Sequence, residues 1–176
     1  MNIVLTLTGP DRIGIVDEVT RILLEAGGNV ETSRMTRLGG EFAILMLVSI
    51  PPEGLAGLDG NIAAFAEQGY KVTTSQTSLS YAERFPGWLP CQIEIRGADH
   101  EGIVHEIAHI LSQRGISIES MDTGTARAPI NGMPLFMMTA AVIVPPGLPG
   151  RDWEEELNDA GERLGVEIRV TGPKKK

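Results

Sequence analysis

Residues 8–16 read Thr-Gly-Pro-Asp-Arg-Ile-Gly-Ile-Val, and residues 96–104 read Arg-Gly-Ala-Asp-His-Glu-Gly-Ile-Val. Both segments fit the pattern G-x-D-x-x-G-I-V, and the second lies 88 positions after the first. A shared pattern of this length indicates an internal repeat. A repeat has to be recognised before single elements are assigned, because it decides the architecture of the whole chain.

The similarity between the two copies continues beyond this pattern. The same offset aligns the apolar residues of a following helix, Ile15, Val19, Ile22 and Leu23, with Ile103, Ile107, Ile110 and Leu111. Farther on, Phe42 aligns with Phe136, and the double proline at 51–52 aligns with that at 145–146, both at an offset of 94. The second copy therefore has six more residues ahead of its third strand.

Residue patterning predicts the same order of elements in each copy. A β-rich run ends at a turn, an apolar stripe at helical spacing follows, and in the first copy Gly39-Gly40 predicts a hairpin between the next two strands. The first copy is predicted to have strands at 3–8, 29–38, 41–50 and 70–78 and helices at 12–26 and 57–68. The second is predicted to have strands at 91–97, 116–128, 134–144 and 165–171 and helices at 102–114 and 151–163.

This βαββαβ order predicts an α+β fold of two ferredoxin-like units. Each unit should be an antiparallel four-stranded sheet with both helices on one face. We assign residues 1–80 to the first unit, 81–90 to a linker, 91–172 to the second unit and 173–176 to a basic tail.

The run from Ala43 to Val48 is apolar at every position, which is typical of strands buried on both faces. The sheet face without helices should therefore pack against the other unit or a second chain, so we expect a homo-oligomer. Trp88, in the expected linker, is predicted to pack across the two units.

Composition limits the classes of partner. The net charge is −8, and binding of nucleic acid usually needs clustered Lys and Arg, so no direct nucleic-acid contact is expected. The only basic cluster, Lys174–Lys176, is predicted to be a solvated tail. Cys91 is the only cysteine, which excludes a disulfide within the chain and fits a reducing compartment. With no signal-peptide pattern and no membrane-length apolar run, we expect a cytoplasmic protein.

The loop after the first strand carries the candidate ligand-binding residues: Gly9, Asp11, Arg12, Ile13 and Gly14. The glycines allow close approach of a ligand, and the N-terminus of the next helix attracts a carboxylate. Asp11 could receive a ligand ammonium or cap the helix. An amino-acid zwitterion needs both an N–H cluster and an oxygen, and this loop offers both. The alternative, that the aspartate and glycines only shape the turn and cap the helix, stays open.

The second copy offers a corresponding set of residues. Asn29 in the first copy is a further candidate, although it equally suits a turn after Gly28. The candidates of the second copy are Gly97, Asp99, His100, Gly102 and Ser117. Because the two loops differ in sequence, we expect that they do not bind alike.

The segment from Gly9 to Val16 resembles the opening loop of the ACT domain, a regulatory module that typically binds amino acids. Ile13 stands where that family usually has proline, and Glu101 takes this place in the second copy. Residues 28–31 are similar to the segment that opens the second ACT strand, and Ser117 takes the position of Asn29. The resemblance covers both copies, and it implies an amino-acid ligand at these loops.

Residues 33–43, Ser-Arg-Met-Thr-Arg-Leu-Gly-Gly-Glu-Phe-Ala, resemble more narrowly the glycine cleavage system transcriptional repressor family. This resemblance implies a regulator that responds to glycine and acts on a transcriptional activator without a DNA-binding domain of its own. Two alternatives stay open: a dimerisation or interaction module that needs no ligand, and a free-standing regulatory subunit of an amino-acid-metabolising enzyme.

Catalysis is not expected. The chain has no phosphate-binding P-loop, no nucleophile elbow and no dinucleotide fingerprint. His105 and His109 are four residues apart, a spacing that can hold a metal, but they are predicted to face solvent without an evident third ligand. We therefore expect no metal site and no cofactor.

Overall fold

A computed structural model of the chain describes residues 1–77, 85–127, 132–148 and 150–172. The chain divides into two compact units, Met1–Ser80 and Tyr81–Lys176. Each unit has its own hydrophobic core. Part of the expected linker and the expected basic tail lie outside the described residues.

The first unit has the order βαββαβ, with its four strands in one antiparallel sheet in the order β2-β3-β1-β4. Its elements are β1 (Asn2–Pro10), α1 (Ile15–Glu25), β2 (Asn29–Leu38), β3 (Glu41–Ser49), α2 (Pro52–Glu67) and β4 (Lys71–Thr77).

The second unit repeats this order, with its antiparallel strands in the order β6-β7-β5-β8. Its elements are β5 (Leu89–Ala98), α3 (Ile103–Gln113), β6 (Ser117–Arg127), β7 (Pro134–Val144), α4 (Gly150–Leu164) and β8 (Val166–Thr171). The predicted fold class of two ferredoxin-like units is confirmed.

Strand register shows that the two units are equivalent in detail. Phe42 lies opposite Gly9 in the first sheet, and Phe136 lies opposite Gly97 in the second. The register of β2 shifts at Glu31, and that of β6 shifts at Glu119, so both units carry a bulge at the same place. The alignment deduced from sequence is therefore also the structural alignment.

The cores form as the apolar patterns predict. Alternate residues of β1 are buried under the helices, and the predicted stripe of α1 is buried with them. The corresponding stripe of α3 is buried in the second unit. Burial of each such side chain contributes about 1.5–3 kcal/mol to folding. Trp153 of α4 is also fully buried, and its Nε1–H has no partner among the described residues.

Three elements begin two or more residues away from their predicted starts. Helix α1 begins at Ile15 and not at residue 12, because Gly14 takes a left-handed conformation that the helix cannot include. Helix α2 begins at Pro52 and not at residue 57, since proline fits the first turn of a helix, where its missing N–H costs nothing. Strand β5 begins at Leu89, two residues before its predicted start.

The open face of the first sheet is partly apolar. In β3, Ile44, Met46 and Val48 are buried, whereas Leu45 on the other face is 48% exposed. The expected homo-oligomer stays a prediction. Trp88 packs edge-on against Phe85, with ring centroids 4.8 Å apart.

Among the residues that the structure covers, no helix combines the length and the apolar character that crossing a membrane requires.

Candidate functional site

The loop between β1 and α1 ends in a helix N-terminus that no side chain caps. Gly14 is the N-cap residue, with φ +89°, and it makes no side-chain hydrogen bond to the helix. Its carbonyl accepts the N–H of Glu18 at 3.0 Å. A Cβ at Gly14 would meet nothing within 4 Å. The first turn of α1 therefore presents backbone N–H groups beside open space, which suits an anionic group.

Asp11 does not cap α1, so that reading of its role is wrong. Its carboxylate is paired with Arg37 of β2, whose Nε lies 2.5 Å from Oδ2. Its backbone N–H donates to the carbonyl of Gly40, at 3.1 Å, in the β2–β3 turn. Asp11 thus joins the loop to the neighbouring hairpin, and it lies three residues before the N-cap of α1 in sequence.

Arg12 is bound within the protein. Its Nη2 donates to the carboxylate of Glu18 and to Oε1 of Gln68, the latter at 3.1 Å. Its guanidinium also lies 5.6 Å from the centroid of the Tyr70 ring. The pKa of Glu18 is lowered chiefly by the hydrogen bond from Arg12, and the pKa of Arg12 is raised chiefly by Glu18. Arg12 therefore ties the loop to α1 and to the end of α2.

The first glycine of the motif serves packing. A Cβ at Gly9 would lie 2.4 Å from Cδ1 of Tyr70 and 3.1 Å from its Cα. The hydroxyl of Tyr70 donates to the carbonyl of Pro10 at 2.8 Å, which holds the ring there. At the equivalent position, a Cβ on Gly97 would lie 2.6 Å from Val166. Because neither glycine has a side chain, the residue at or just before the start of the last strand can pack directly against its backbone; this residue is Tyr70 in the first unit and Val166 in the second.

The tip of the first loop carries an apolar side chain that is exposed to solvent. Ile13 is fully exposed to solvent, and Leu38, beside the β2–β3 turn, is 78% exposed. The hydrogen bond from Asp11 to Gly40 brings the loop and the turn together. Large exposed apolar side chains that lie in one region often mark a surface that contacts another molecule.

The second loop has the same backbone and different side chains. Gly102 is the N-cap of α3, with φ +94° and no side-chain cap. The backbone N–H of Asp99 donates to the carbonyl of Pro134 at 3.2 Å. At the position of Arg37, however, this unit has Thr125, which lies opposite Phe136. Of the described residues, no cation lies within ion-pair distance of the Asp99 carboxylate.

His100 takes the structural place of Arg12. Its Nε2 lies 2.6 Å from the carbonyl oxygen of Leu164, at the end of α4, and its Nδ1 lies 2.9 Å from that of Glu101. Two carbonyls accept, so only the imidazolium can donate to both. The hydrogen bonds to Leu164 and Glu101, together with the charge of Asp99, raise the pKa of His100.

Asn29 and Ser117 are not part of these loops. In the sheet register, Asn29 lies opposite Ser49, which lies opposite Asn2, whereas the loop follows Pro10. Eight residues of extended strand separate the two ends by about 27 Å. Asn29 instead donates to Glu31 at 3.2 Å. Ser117 lies at the corresponding distant end of the second sheet. Within one unit, both residues therefore lie apart from the loop, and their assignment to a ligand site stays a prediction.

Sequence reasoning overlooked one motif. Residues 105–109 read His-Glu-Ile-Ala-His, which fits the H-E-x-x-H pattern that places two histidines on one helix face for a metal. Both side chains are exposed on α3, as expected, and their rings lie 6.1 Å apart with an interplanar angle of 23°. Among the described residues, no group of three or more metal-binding side chains is present.

The family follows from comparison with known proteins. Residues 2–74 match the family model of the ACT domain, and the second unit repeats the fold and register of the first. The first unit is therefore an ACT domain, and the second unit repeats its fold. The chain also resembles the glycine cleavage system transcriptional repressor family: it is 47% identical to the repressor of Escherichia coli (strain K12) over 99 residues, which are 56% of this chain and 52% of the relative.

The chain spans about half the length of the curated relatives that it matches. Two solved structures match almost the whole chain. An unknown protein from Galdieria sulphuraria is 30% identical, with a TM-score of 0.82 and 97% of both chains covered. A candidate glycine cleavage system transcriptional repressor is 24% identical, with a TM-score of 0.69, 99% of this chain covered and 98% of the other. The latter likeness shows the fold.

Proposed function

We propose that this protein is an amino-acid-sensing regulator that binds its ligand at the first loop and acts on a transcriptional activator by protein contact. The observation that supports this proposal most strongly is the uncapped N-terminus of α1 at Gly14, in a domain of the ACT family. No part of this role requires catalysis or a cofactor, and it would be carried out in the cytoplasm.

The ligand is proposed to lie between the end of α1 and Asp11. Its carboxylate would accept from the first backbone N–H groups of α1, where the helix dipole also favours negative charge. Its ammonium would bind the carboxylate of Asp11, of which Arg37 occupies Oδ2. Glu18, in the same helical turn, is paired with Arg12 and so repels an incoming carboxylate less.

Glycine is the leading candidate for this ligand. The name of the Escherichia coli relative refers to the glycine cleavage system. The aligned region, which is 47% identical, covers 52% of that relative. The structure supports a small ligand through Gly14, which leaves open space beside the helix end. The first loop is favoured over the second because, among the described residues, Asp99 has no counterpart of the Asp11–Arg37 pair.

Protein contact is supported by the surface of the first unit. Ile13 and Leu38 are exposed at the same end of the sheet as the proposed ligand. In the second unit, Glu101 and Ala126 take their positions. With a net charge of −8, the chain is better suited to a protein partner than to nucleic acid. A ligand at the loop would thus lie next to the proposed contact surface.

Isothermal titration of the full chain with glycine, serine, alanine and a wider amino-acid panel tests the sensing role. A ligand present at 100 times its dissociation constant should raise the free energy of unfolding by about 2.7 kcal/mol. Binding heat with a matching thermal shift for one small amino acid is the expected result. The absence of both across the panel would contradict the proposal.

A pull-down from cell extract tests the partner. We expect a transcriptional regulator to be retained in an amount that changes with the ligand, and retention should fall for Ile13→Glu. Leu24→Glu is the matched control, because Leu24 is also exposed but lies near the far end of α1. If the retained amount did not change with the ligand, a ligand-independent interaction module would be favoured. Recovery of a metabolic enzyme would favour a regulatory subunit of that enzyme.

A further inference from the structure

The exposed face of α3 presents two histidines in a fixed arrangement. His105 and His109 are one helical turn apart, and their rings are nearly parallel, with centroids 6.1 Å apart. The opposite face of this helix is buried against the second sheet through Ile103, Ile107, Ile110 and Leu111. Because the helix is anchored along its length, the two rings can adjust only by side-chain rotation.

We propose that His105 and His109 form a chelating site for Zn²⁺ on the second unit. Zinc binds imidazole nitrogen at about 2.0–2.1 Å, so a tetrahedral ion needs its two nitrogens about 3.3 Å apart. To bind one ion, the two rings, whose centroids are 6.1 Å apart, would have to rotate about their side-chain torsions until one nitrogen of each reaches that separation. Imidazole is a ligand that zinc accepts readily, and water or an external ligand completes the coordination.

Glu106 has a different role here from that in metalloproteases. In those enzymes the glutamate of H-E-x-x-H acts as general base. In this protein, Oε1 of Glu106 lies 2.9 Å from Nη2 of Arg163 in α4. The pair joins α3 to α4 and holds the carboxylate away from the role of a free base. The proposed site is therefore one that binds metal without hydrolytic activity.

The first unit cannot hold an equivalent ion. The residues that correspond to His105 and His109 are Asp17 and Arg21. Arg21 is cationic and paired with Glu25 at 2.8 Å, and guanidinium has no acceptor with which to bind a metal. The proposed zinc site would thus give the second unit a function that the first unit lacks. It does not involve the loops that are proposed to bind an amino acid.

Calorimetric titration of Zn²⁺ into the full chain, free of affinity tags and previously stripped of metal, tests this site. We expect saturable binding of one ion per chain. Loss of an outer-shell partner typically weakens metal binding by about 10- to 100-fold, so His105→Ala or His109→Ala should weaken it by at least about tenfold. His100→Ala, which removes the remaining histidine, should leave the affinity unchanged.

A gain-of-site variant makes the test independent of any loss of folding. Asp17→His combined with Arg21→His places the same spacing on α1 of the first unit, and a second zinc ion should then bind. Circular dichroism checks that each variant is folded. Zinc binding that survives His105→Ala combined with His109→Ala, or no binding by the wild-type chain, would overturn the proposal.

Discussion

Nε of Arg37 lies 2.5 Å from Oδ2 of Asp11, which joins β2 to the loop that follows β1. The pair exists in the first unit alone of the described chain, since Thr125 stands at the position of Arg37 in the second. The pair occupies Oδ2 of Asp11, and we expect the other carboxylate oxygen to receive the proposed ligand. The aspartate of the shared motif therefore lies in two different electrostatic environments: Asp11 is paired with Arg37, whereas Thr125 stands at that position in the second unit.

Asp11→Asn should weaken amino-acid binding while leaving the fold intact. The change keeps the shape of the side chain but removes the charge that would hold the ligand ammonium. Hydrogen bonds to charged groups contribute about 1.5–3 kcal/mol, so an increase in the dissociation constant of about tenfold or more is expected. The stability cost from the lost Arg37 pair should be about 1 kcal/mol or less, because the Arg37 side chain is largely exposed and solvent screens the pair. Calorimetry measures the first effect and chemical denaturation the second.

Asp99→Asn is the matched control for this variant. It makes the same chemical change in the second loop, where Asp99 has no arginine partner in the described residues. We expect the affinity to remain at the wild-type value. If Asp99→Asn abolished binding and Asp11→Asn did not, the ligand would belong to the second loop and the assignment would be wrong.

Gly9→Ala should destabilise the first unit. The added Cβ would lie 2.4 Å from the Tyr70 ring and 3.1 Å from its backbone, so the ring and the start of β4 must move. Overpacking of this kind costs about 1–3 kcal/mol. Urea denaturation monitored by circular dichroism measures the change. Because the contact is structural, ligand affinity per folded molecule should change less than stability.

Gly57→Ala provides the comparison. Gly57 lies inside α2, and a Cβ there would meet nothing within 4 Å. Alanine in a helix interior is favoured over glycine by about 0.5–1 kcal/mol, so this variant should be more stable than the wild type. Equal effects of Gly9→Ala and Gly57→Ala would show that the Tyr70 contact is unimportant.

His100 should make the second unit more stable at acidic than at alkaline pH, relative to a variant without it. Its pKa is raised in the folded state by the carbonyls of Leu164 and Glu101, so the contribution is complete below the ordinary value near 6.5. It is lost as pH rises through the raised pKa. The stability difference between wild type and His100→Ala should therefore be larger near about pH 5.5 than near about pH 8.5.

Arg12→Ala is the control for this pH dependence. Arg12 holds the same place in the first unit but remains charged throughout this range, and its partner Glu18 has a lowered pKa. Its contribution should be constant between the two pH values. An NMR titration of the His100 ring gives its pKa directly, and a value at or below 6.5 would contradict the assigned hydrogen bonds.

The repeat made most of the fold predictable from sequence. The offset that aligns Phe42 with Phe136 is reproduced by their partners in the sheets, Gly9 and Gly97. The alternating and helical apolar patterns identified the buried faces, because burial is the dominant local constraint. The starts of α1 and α2 were less predictable, since they depend on whether one glycine turns left-handed and whether a proline opens a helix.

The candidate site was predictable only in part. Local sequence identified the loop, but neither the left-handed conformation of Gly14 nor the reason for Gly9, which is a contact with Tyr70 far along the chain. Asn29 was grouped with the loop by resemblance, although the strand register places it at the opposite end of the sheet. Contacts between distant residues, such as Asp11 with Arg37, cannot be read from local pattern.

A crystal structure of the chain grown with glycine tests the central claim most directly. We expect a glycine molecule at the first loop, with its carboxylate on the backbone N–H groups at the start of α1 and its ammonium on Asp11. Glycine bound elsewhere, or an empty first loop in crystals of protein that calorimetry shows to be saturated, would contradict it.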